Sequence, residues 1–249
     1  MKKKPRSFSY SIPTYAYLIG QIHWLVERRS KIKNESTIVG INLSITLLLC
    51  TYIESSLNVM LSCVLKEQKE LSEDASHLRL LNNIEKRLSK ATWTQYIDIG
   101  SIILPKALTH YSDNEIWKGI SILFKLRNQL VHGKNVTASI QVDENDLKLE
   151  YSGIYETAFE YFKEKGILRA NQFNSLTHKI LSIRTTNHFV KIGEIFVDTL
   201  FYKLLKESKI DSLGDFISFK DGLMHDFGID YKPVELPFLK TDKPDGLPF

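Results

Sequence analysis

The 249-residue chain has only two cysteines, Cys50 and Cys63, and this scarcity excludes a disulfide-rich secreted scaffold. Both fall in one predicted helix, thirteen residues apart, which separates them by about 20 Å along its axis. A disulfide requires Cα atoms within about 7 Å, so these two cysteines cannot pair there. We therefore expect two reduced, buried side chains in a cytoplasmic protein.

Several motifs of common enzyme classes are also missing. The chain has no glycine-rich phosphate loop, no G-x-S-x-G elbow and no C-x-x-C pair. His225 lies near Asp226 and Asp230 in sequence, but no further residues at metal-ligand spacing accompany them. We expect neither a metal nor an organic cofactor.

A membrane or export segment is not expected either. The basic start, MKKKPRSFSYSIPTYAYLIG, is followed by no clean apolar run and no small-residue cleavage site. The most apolar segment is Ile38–Leu65, whose uncharged part stops at Glu54 and which polar residues interrupt throughout. Because a membrane span needs about 20 predominantly apolar residues, the pattern favours a buried, two-sided helix over its alternative, a span.

The overall composition is that of an ordinary globular protein. Hydrophobic residues make up 43% and charged residues 25%, and the net charge of +4 permits a nucleic-acid partner without requiring one. No internal repeat, low-complexity segment or linker divides the chain. We predict a basic N-terminal arm over residues 1–12, one domain over 13–228 and an extended, proline-rich tail over 229–249.

The hydrophobic periodicity predicts a mostly helical domain with one β-hairpin. Alternating apolar residues on both sides of the turn segment DEND predict the hairpin at about 138–151. Before the hairpin, helices are predicted from Pro13, over about Val39–Lys66 and Ser72–Lys90, and in pieces over Thr92–Tyr111. After the hairpin, one helix is predicted to stop at Gly166. Further helices are predicted over about Asn171–Ser208 and near Leu213–Phe227.

The best-defined helix is SDNEIWKGISILFKLRNQLVHG, because both of its ends carry local signals. Ser112 and Glu115 fit an S-x-x-E capping box, and Gly133 fits a left-handed C-terminal stop. One face of this helix is apolar and is lined by Ile116, Ile120, Leu123, Phe124 and Val131.

Three polar residues lie at the end of this helix. At about 100° per residue, Arg127 extends the apolar stripe, while Asn128 and His132 are stacked four residues apart. An arginine that binds an anion in a fork, beside a histidine that titrates near neutrality, suits phosphate chemistry. The alternative is structural, with His132 capping carbonyl groups and Arg127 paired with a carboxylate such as Glu54.

The stretch LRNQLVHG, with its apolar lead-in ISILFK, resembles the signature of the HEPN superfamily, named for a nucleotide-binding domain of higher eukaryotes and prokaryotes. That signature is an arginine, four to six residues, and then a histidine, often with an asparagine directly after the arginine. Arg127, Asn128 and His132 match it, and TYIESSLNVML, which contains Glu54, resembles an early helix of such domains. The resemblance covers about Val39–Leu205.

This resemblance implies an all-α bundle that forms a homodimer in which two motif helices face each other across a composite active site. It further implies a metal-independent endoribonuclease of toxin–antitoxin or antiviral defence systems, whose partners are RNA and an antitoxin or defence protein. The 2′-hydroxyl of the RNA would attack the adjacent phosphate. His132 would act as general acid or base, Arg127 would stabilise the charged phosphorane, and Asn128 would position groups.

Three lysines on or beside the motif helix are candidates for RNA contacts. Lys118 and Lys125 are seven residues apart, and Lys134 follows the helix. They can follow a phosphate backbone or simply form a solvated face. Lys134 stands where a compact HEPN toxin subclass carries a tyrosine that its partner modifies, so we do not expect that regulation.

Two other functions remain open from the sequence. One is a non-catalytic HEPN-like helical module that binds RNA or nucleotide, or that scaffolds a complex. The other is a purely structural role in which Arg127 forms a salt bridge in the core.

Overall fold

The computed structural model describes residues 14–132, 138–143, 146–151, 153–168 and 180–208. This part of the chain is all-α apart from one short pair of strands. In chain order its elements are α1 (Thr14–Ser30), α2 (Glu35–Leu71), α3 (Ala75–Leu88), α4 (Trp93–Ile103), a 3-10 turn (Leu108–Tyr111), α5 (Asn114–Val131), β1 (Ala138–Asp143), β2 (Asp146–Tyr151), α6 (Ile154–Glu164) and α7 (Ile183–Ser208).

Helix α2 is the central element of the fold. Asn34 starts it by accepting a hydrogen bond from the backbone N–H of Thr37 at 2.9 Å. The helix packs against α1, α3, α4, α5 and α7. Its buried residues include Leu49, Ile53 and Leu57, each at most 1% exposed. Helix α2 therefore positions every other element that contributes to the candidate site.

The apolar character of α2 has two readings. The helix contains an 18-residue window with a mean hydropathy of 1.7, so its length and composition alone would allow it to cross a membrane. The core helices of soluble proteins have the same property. The contacts of α2 with five other helices place this segment at the centre of the helical packing.

The start of α5 differs from the predicted capping box. Its N-cap is Asp113, whose carboxylate accepts from the backbone N–H of Glu115 at 2.8 Å. The Ser112 hydroxyl instead donates to the carbonyl of Asp113, and the carboxylate of Glu115 pairs with Lys165, the C-cap of α6, at 2.6 Å. The prediction of a Ser112–Glu115 box was wrong because Ser112 still belongs to the extended end of the preceding 3-10 turn.

Helix α5 packs on α6 and α7. Gly119 allows this approach, since a Cβ atom there would lie 2.5 Å from the Tyr161 hydroxyl. Leu123 and Phe124 are buried, and Phe124 stacks on Trp93 of α4 with ring centroids 4.1 Å apart. At the end of the predicted apolar face, Val131 is 57% exposed.

The two strands pair in antiparallel register between α5 and α6, with Ala138 opposite Tyr151 and Asp143 opposite Asp146. Helix α6 then ends near Gly166, which has a φ of +66°, the left-handed conformation that a glycine adopts without strain. The predicted end of this helix at Gly166 is therefore confirmed.

Several predictions concern residues outside the described ranges. These are the arm 1–12, Gly133, Lys134, the helix near Leu213–Phe227, His225 with Asp226 and Asp230, and the tail 229–249. The helix predicted from about Asn171 is described from Ile183 to Ser208.

Candidate functional site

The last turn of α5 meets the middle of α2 and the start of α4, and this junction holds the candidate site. Arg127 of α5 is 27% exposed at its side chain, and Glu54 of α2 is 19% exposed. The Arg127 Nη2 atom donates to both carboxylate oxygens of Glu54 at 2.8 Å. The charge of Arg127, which extends the apolar stripe of α5, is therefore paired within the same chain by a carboxylate 73 residues earlier.

The rest of the Arg127 guanidinium points along α5. Its Nη1 atom donates to the side-chain oxygen of Asn128 at 3.2 Å. Its central carbon lies 5.8 Å from the ring centroid of Phe124, within the range of a cation–π contact. Three groups thus fix the orientation of Arg127, namely the Glu54 carboxylate, the Asn128 amide and the Phe124 ring.

Two opposing effects act on the pKa of the Glu54 carboxyl group. Burial raises the pKa of its carboxyl group, and this effect outweighs the guanidinium of Arg127 and the backbone N–H of Trp93, which both lower it. Trp93 is the first residue of α4, so its N–H lacks a partner within that helix. The carboxylate of Glu54 therefore joins the start of α4 to the end of α5.

Two neighbouring groups stay uncharged at neutral pH. Burial raises the pKa of Cys50, one turn before Glu54, to about 12, although the Arg127 charge acts in the opposite direction. Burial and the Glu54 charge raise the pKa of Tyr96 to about 12. The Cys50 thiol is thus protonated and poorly suited to act as a nucleophile.

His132 follows directly after α5 as its C-cap. Its backbone N–H donates to the carbonyl of Asn128 at 3.3 Å, so Asn128 and His132 keep their helical spacing at the end of α5. The His132 side chain is exposed and forms no hydrogen bond or ion pair with another residue in the described ranges. The structure brings Arg127, Asn128 and Glu54 into direct contact and leaves the His132 ring in solvent one turn further on.

The candidate lysines have different surroundings. Lys118 pairs with Glu164 of α6 at 2.8 Å, and it lies fourteen residues before His132, about 21 Å along the helix. Lys125 is exposed and has no ion-pair partner among the residues the structure describes. Lys134 lies outside those residues. Lys125 is therefore the described lysine that is best placed for an anionic partner of this site.

The contribution of α4 to this site was not predicted from the sequence. Trp93 supplies a backbone N–H to Glu54 and a ring to Phe124, and Tyr96 borders the same carboxylate. A local signal marks the start of this helix, since Gln95 accepts from the backbone N–H of Thr92 at 2.8 Å in a T-x-x-Q capping box. That signal predicts where α4 begins but not which side chain it faces.

The described residues include no group of three or more histidine, cysteine, aspartate or glutamate side chains that could hold a metal ion. In comparisons with protein-family models, curated proteins and solved structures, the chain has no significant match. The resemblance to the HEPN superfamily therefore stays a prediction based mainly on Arg127, Asn128 and His132.

Proposed function

We propose that this protein is a metal-independent endoribonuclease of the HEPN type, an all-α bundle with the strand pair inserted after the motif helix. The observation that carries the proposal is the polar end of α5. Arg127 is held there by Glu54 and partly exposed, and Asn128 and His132 are exposed beside it. A fixed guanidinium and a titratable imidazole at one surface can act on the same phosphodiester.

The proposed reaction is an internal transfer within the RNA strand. The 2′-oxygen of a ribose forms a bond to the adjacent phosphorus, and the bond from phosphorus to the 5′-oxygen of the next nucleotide breaks. A histidine base removes the 2′ proton, and a histidinium acid protonates the leaving oxygen. The products are a 2′,3′-cyclic phosphate and a 5′-hydroxyl, so protons balance overall.

Arg127 stabilises the negative charge that builds up on the phosphate oxygens during the transfer. Because Glu54 holds Nη2, the remaining N–H groups of the guanidinium are the ones directed to the substrate. Asn128 contacts Nη1 and positions the guanidinium or a ribose oxygen.

A second copy of the chain completes the proposed active site. One histidine cannot act as base and acid in the same concerted step, whereas two facing copies supply both. Val131, directly before His132 and 57% exposed, would lie in such an interface. The strands that begin at Ala138, six residues after His132, then border the RNA groove.

In the cell, we propose a cytoplasmic toxin or antiviral defence effector whose partners are RNA, a second copy and an antitoxin or defence protein. Expression of the wild-type protein is expected to slow growth, and His132→Ala is expected to relieve this. Equal growth inhibition by both proteins would count against a toxic nuclease activity.

The decisive test is RNA cleavage in the presence of EDTA by wild-type, Arg127→Ala and His132→Ala proteins. Loss of a general acid or base costs about 10²–10⁴-fold in rate, and we expect at least a 10²-fold loss for each variant. Glu115→Gln is the matched control on the same helix, since its side chain pairs with Lys165 at the opposite end of α5 from His132. Equal cleavage by all four proteins would refute the assignment, and cleavage only with added metal would refute the mechanism.

A second candidate function is a non-catalytic module that binds RNA or nucleotide, or that scaffolds a complex. One observation favours it, since both oxygens of Glu54 already engage Arg127. This function predicts no cleavage by the wild-type protein, together with loss of RNA binding or dimerisation on Arg127→Ala.

A further inference from the structure

A second arginine, Arg29, lies in the interior at the junction of α1, α2 and α7. It is the penultimate residue of α1 and is 2% exposed. Its Nη1 atom donates to the side-chain oxygen of Asn42, and its Nη2 atom donates to that of Asn187. Both acceptors are neutral amides, so these hydrogen bonds do not balance the charge of the guanidinium.

No carboxylate in the described residues forms an ion pair with Arg29. Glu27, two residues earlier, pairs with Lys31 at 2.8 Å, and the buried Glu194 of α7 pairs with His23. Burial lowers the pKa of Arg29, and no carboxylate among the described residues acts in the opposite direction. A cation removed from water without a counter-charge is costly, so a compensating anion would be favourable here.

The helix dipoles at this junction do not supply the negative charge that would compensate Arg29. Arg29 lies in the last turn of α1, where the carbonyl end of the helix offsets part of a positive charge. Asn187 lies one turn into α7, where the amide end of that helix opposes it. These two influences act in opposite directions, and the guanidinium charge remains.

The surroundings of the junction are also basic. Lys33 is exposed just after α1, and Arg184 is exposed on the first turn of α7. These residues would attract an anion to the same edge of the fold.

The two amides that hold Arg29 differ in accessibility. Asn42 is fully buried and donates through its own nitrogen to the carbonyl of Leu181, so its position is fixed. Asn187 is exposed, and the structure gives it no other side-chain hydrogen bond among the described residues. An outward rotation of the Asn187 side chain would open one edge of the guanidinium to an incoming ligand.

We propose that the junction of α1, α2 and α7 is a phosphate-binding site, in which a phosphate oxygen replaces the Asn187 amide on Arg29. The ligand is either a free phosphate or a backbone phosphate of RNA, and both present the same oxygens. Along α2, Asn42 and Glu54 are twelve residues apart, about 18 Å, so this site is separate from the one at Arg127. Its occupation does not depend on whether the protein cleaves RNA.

The test is thermal unfolding in inorganic phosphate and in chloride at matched ionic strength. Phosphate stabilises most proteins nonspecifically, so the measured quantity is the difference between variants. Asn187→Asp places a carboxylate against Arg29 and is expected to remove the specific response to phosphate. Arg28→Gln removes an exposed neighbouring charge that stacks on Trp24 and is expected to keep that response.

At a phosphate concentration about ten times its Kd, wild-type and Arg28→Gln proteins are expected to gain about 2–4 °C in Tm more than Asn187→Asp gains. In chloride alone, Asn187→Asp is expected to have a higher Tm than the wild type. An equal phosphate response in all three proteins, or none in the wild type, would overturn the proposal.

A parallel series with a cleavage-resistant 2′-O-methyl oligoribonucleotide identifies the source of the phosphate. If the RNA backbone is the ligand, the oligonucleotide stabilises the wild type over Asn187→Asp at much lower concentration than inorganic phosphate does. If free phosphate is the ligand, only the inorganic anion distinguishes the two proteins. Because the readout is stability, failure of this site is distinguishable from failure of the nuclease assignment.

Discussion

Removal of Glu54 is expected to destabilise the junction of α2, α4 and α5, because it leaves Arg127 without a carboxylate. Exposed ion pairs contribute about 0.2–1 kcal/mol, whereas removing one partner of a buried pair costs about 3–5 kcal/mol. Arg127 is 27% exposed and Glu54 is 19% exposed, so this pair lies between these limits. For Glu54→Ala we expect a loss of about 2 kcal/mol in the free energy of unfolding.

A double-mutant cycle in urea isolates the interaction itself. The proteins are the wild type, Glu54→Ala, Arg127→Ala and the double variant, compared by their denaturation midpoints at unchanged m-value. We expect the double variant to lose about 1–2 kcal/mol less than the sum of the two single losses, since the side chains are in direct contact. The same cycle on Lys118 and Glu164, an exposed pair on α5 and α6, is the control and is expected to show less coupling.

Coupling between Glu54 and Arg127 no greater than in the control would refute the claim that Glu54 holds the guanidinium. Together with cleavage assays, the cycle also tests the alternative in which Arg127 has a purely structural role. A purely structural Arg127 predicts a large stability loss for Arg127→Ala and no functional loss for His132→Ala, whereas the nuclease assignment predicts loss of cleavage in both.

Three further predictions concern the helical core. Burial lowers the pKa of His188 to about 4, below its ordinary value near 6.5, so the unfolded chain binds more protons between these pH values. Unfolding free energy should therefore fall as the pH drops from about 6.5 to 4 in urea titrations, and this slope should weaken in His188→Gln. Gly119→Ala should cost about 1–3 kcal/mol through overpacking against Tyr161, whereas Gly40→Ala, with open space around it, should be neutral or stabilising by up to about 1 kcal/mol. Cys50, fully buried with a pKa of about 12, should react with a thiol reagent only at the rate of unfolding, in contrast to a rapid reaction if it were accessible.

The periodicity of the sequence predicted most helices well, since buried residues recur every three or four positions along each of them. Helix α5 reaches Val131, close to its predicted end, whereas its predicted N-cap was wrong by one residue. Asp113 and Ser112 are both good N-caps, and only the extended path of the preceding turn decides between them. Val131 lies on the predicted apolar face but is 57% exposed, because periodicity reports which face a residue occupies and not how deeply it is buried.

The contacts of the candidate site were predictable only in part. A carboxylate partner for Arg127 was required by the cost of burying its charge, and Glu54 was named as one alternative. The role of Trp93 required knowledge of how α4 packs, which no local pattern supplies. Arg29 carried a signal that was overlooked, since it lies seven residues after the buried Ile22 and therefore on the same face of α1.

The most direct test of the central claim is the initial rate, in EDTA, at which wild-type and His132→Ala proteins cleave the same oligoribonucleotide. We expect wild-type cleavage that leaves 2′,3′-cyclic phosphate ends and that falls by about 10²–10⁴-fold in His132→Ala. Equal rates for the two proteins, or equal cleavage of an oligonucleotide that lacks the 2′-hydroxyl, would contradict it.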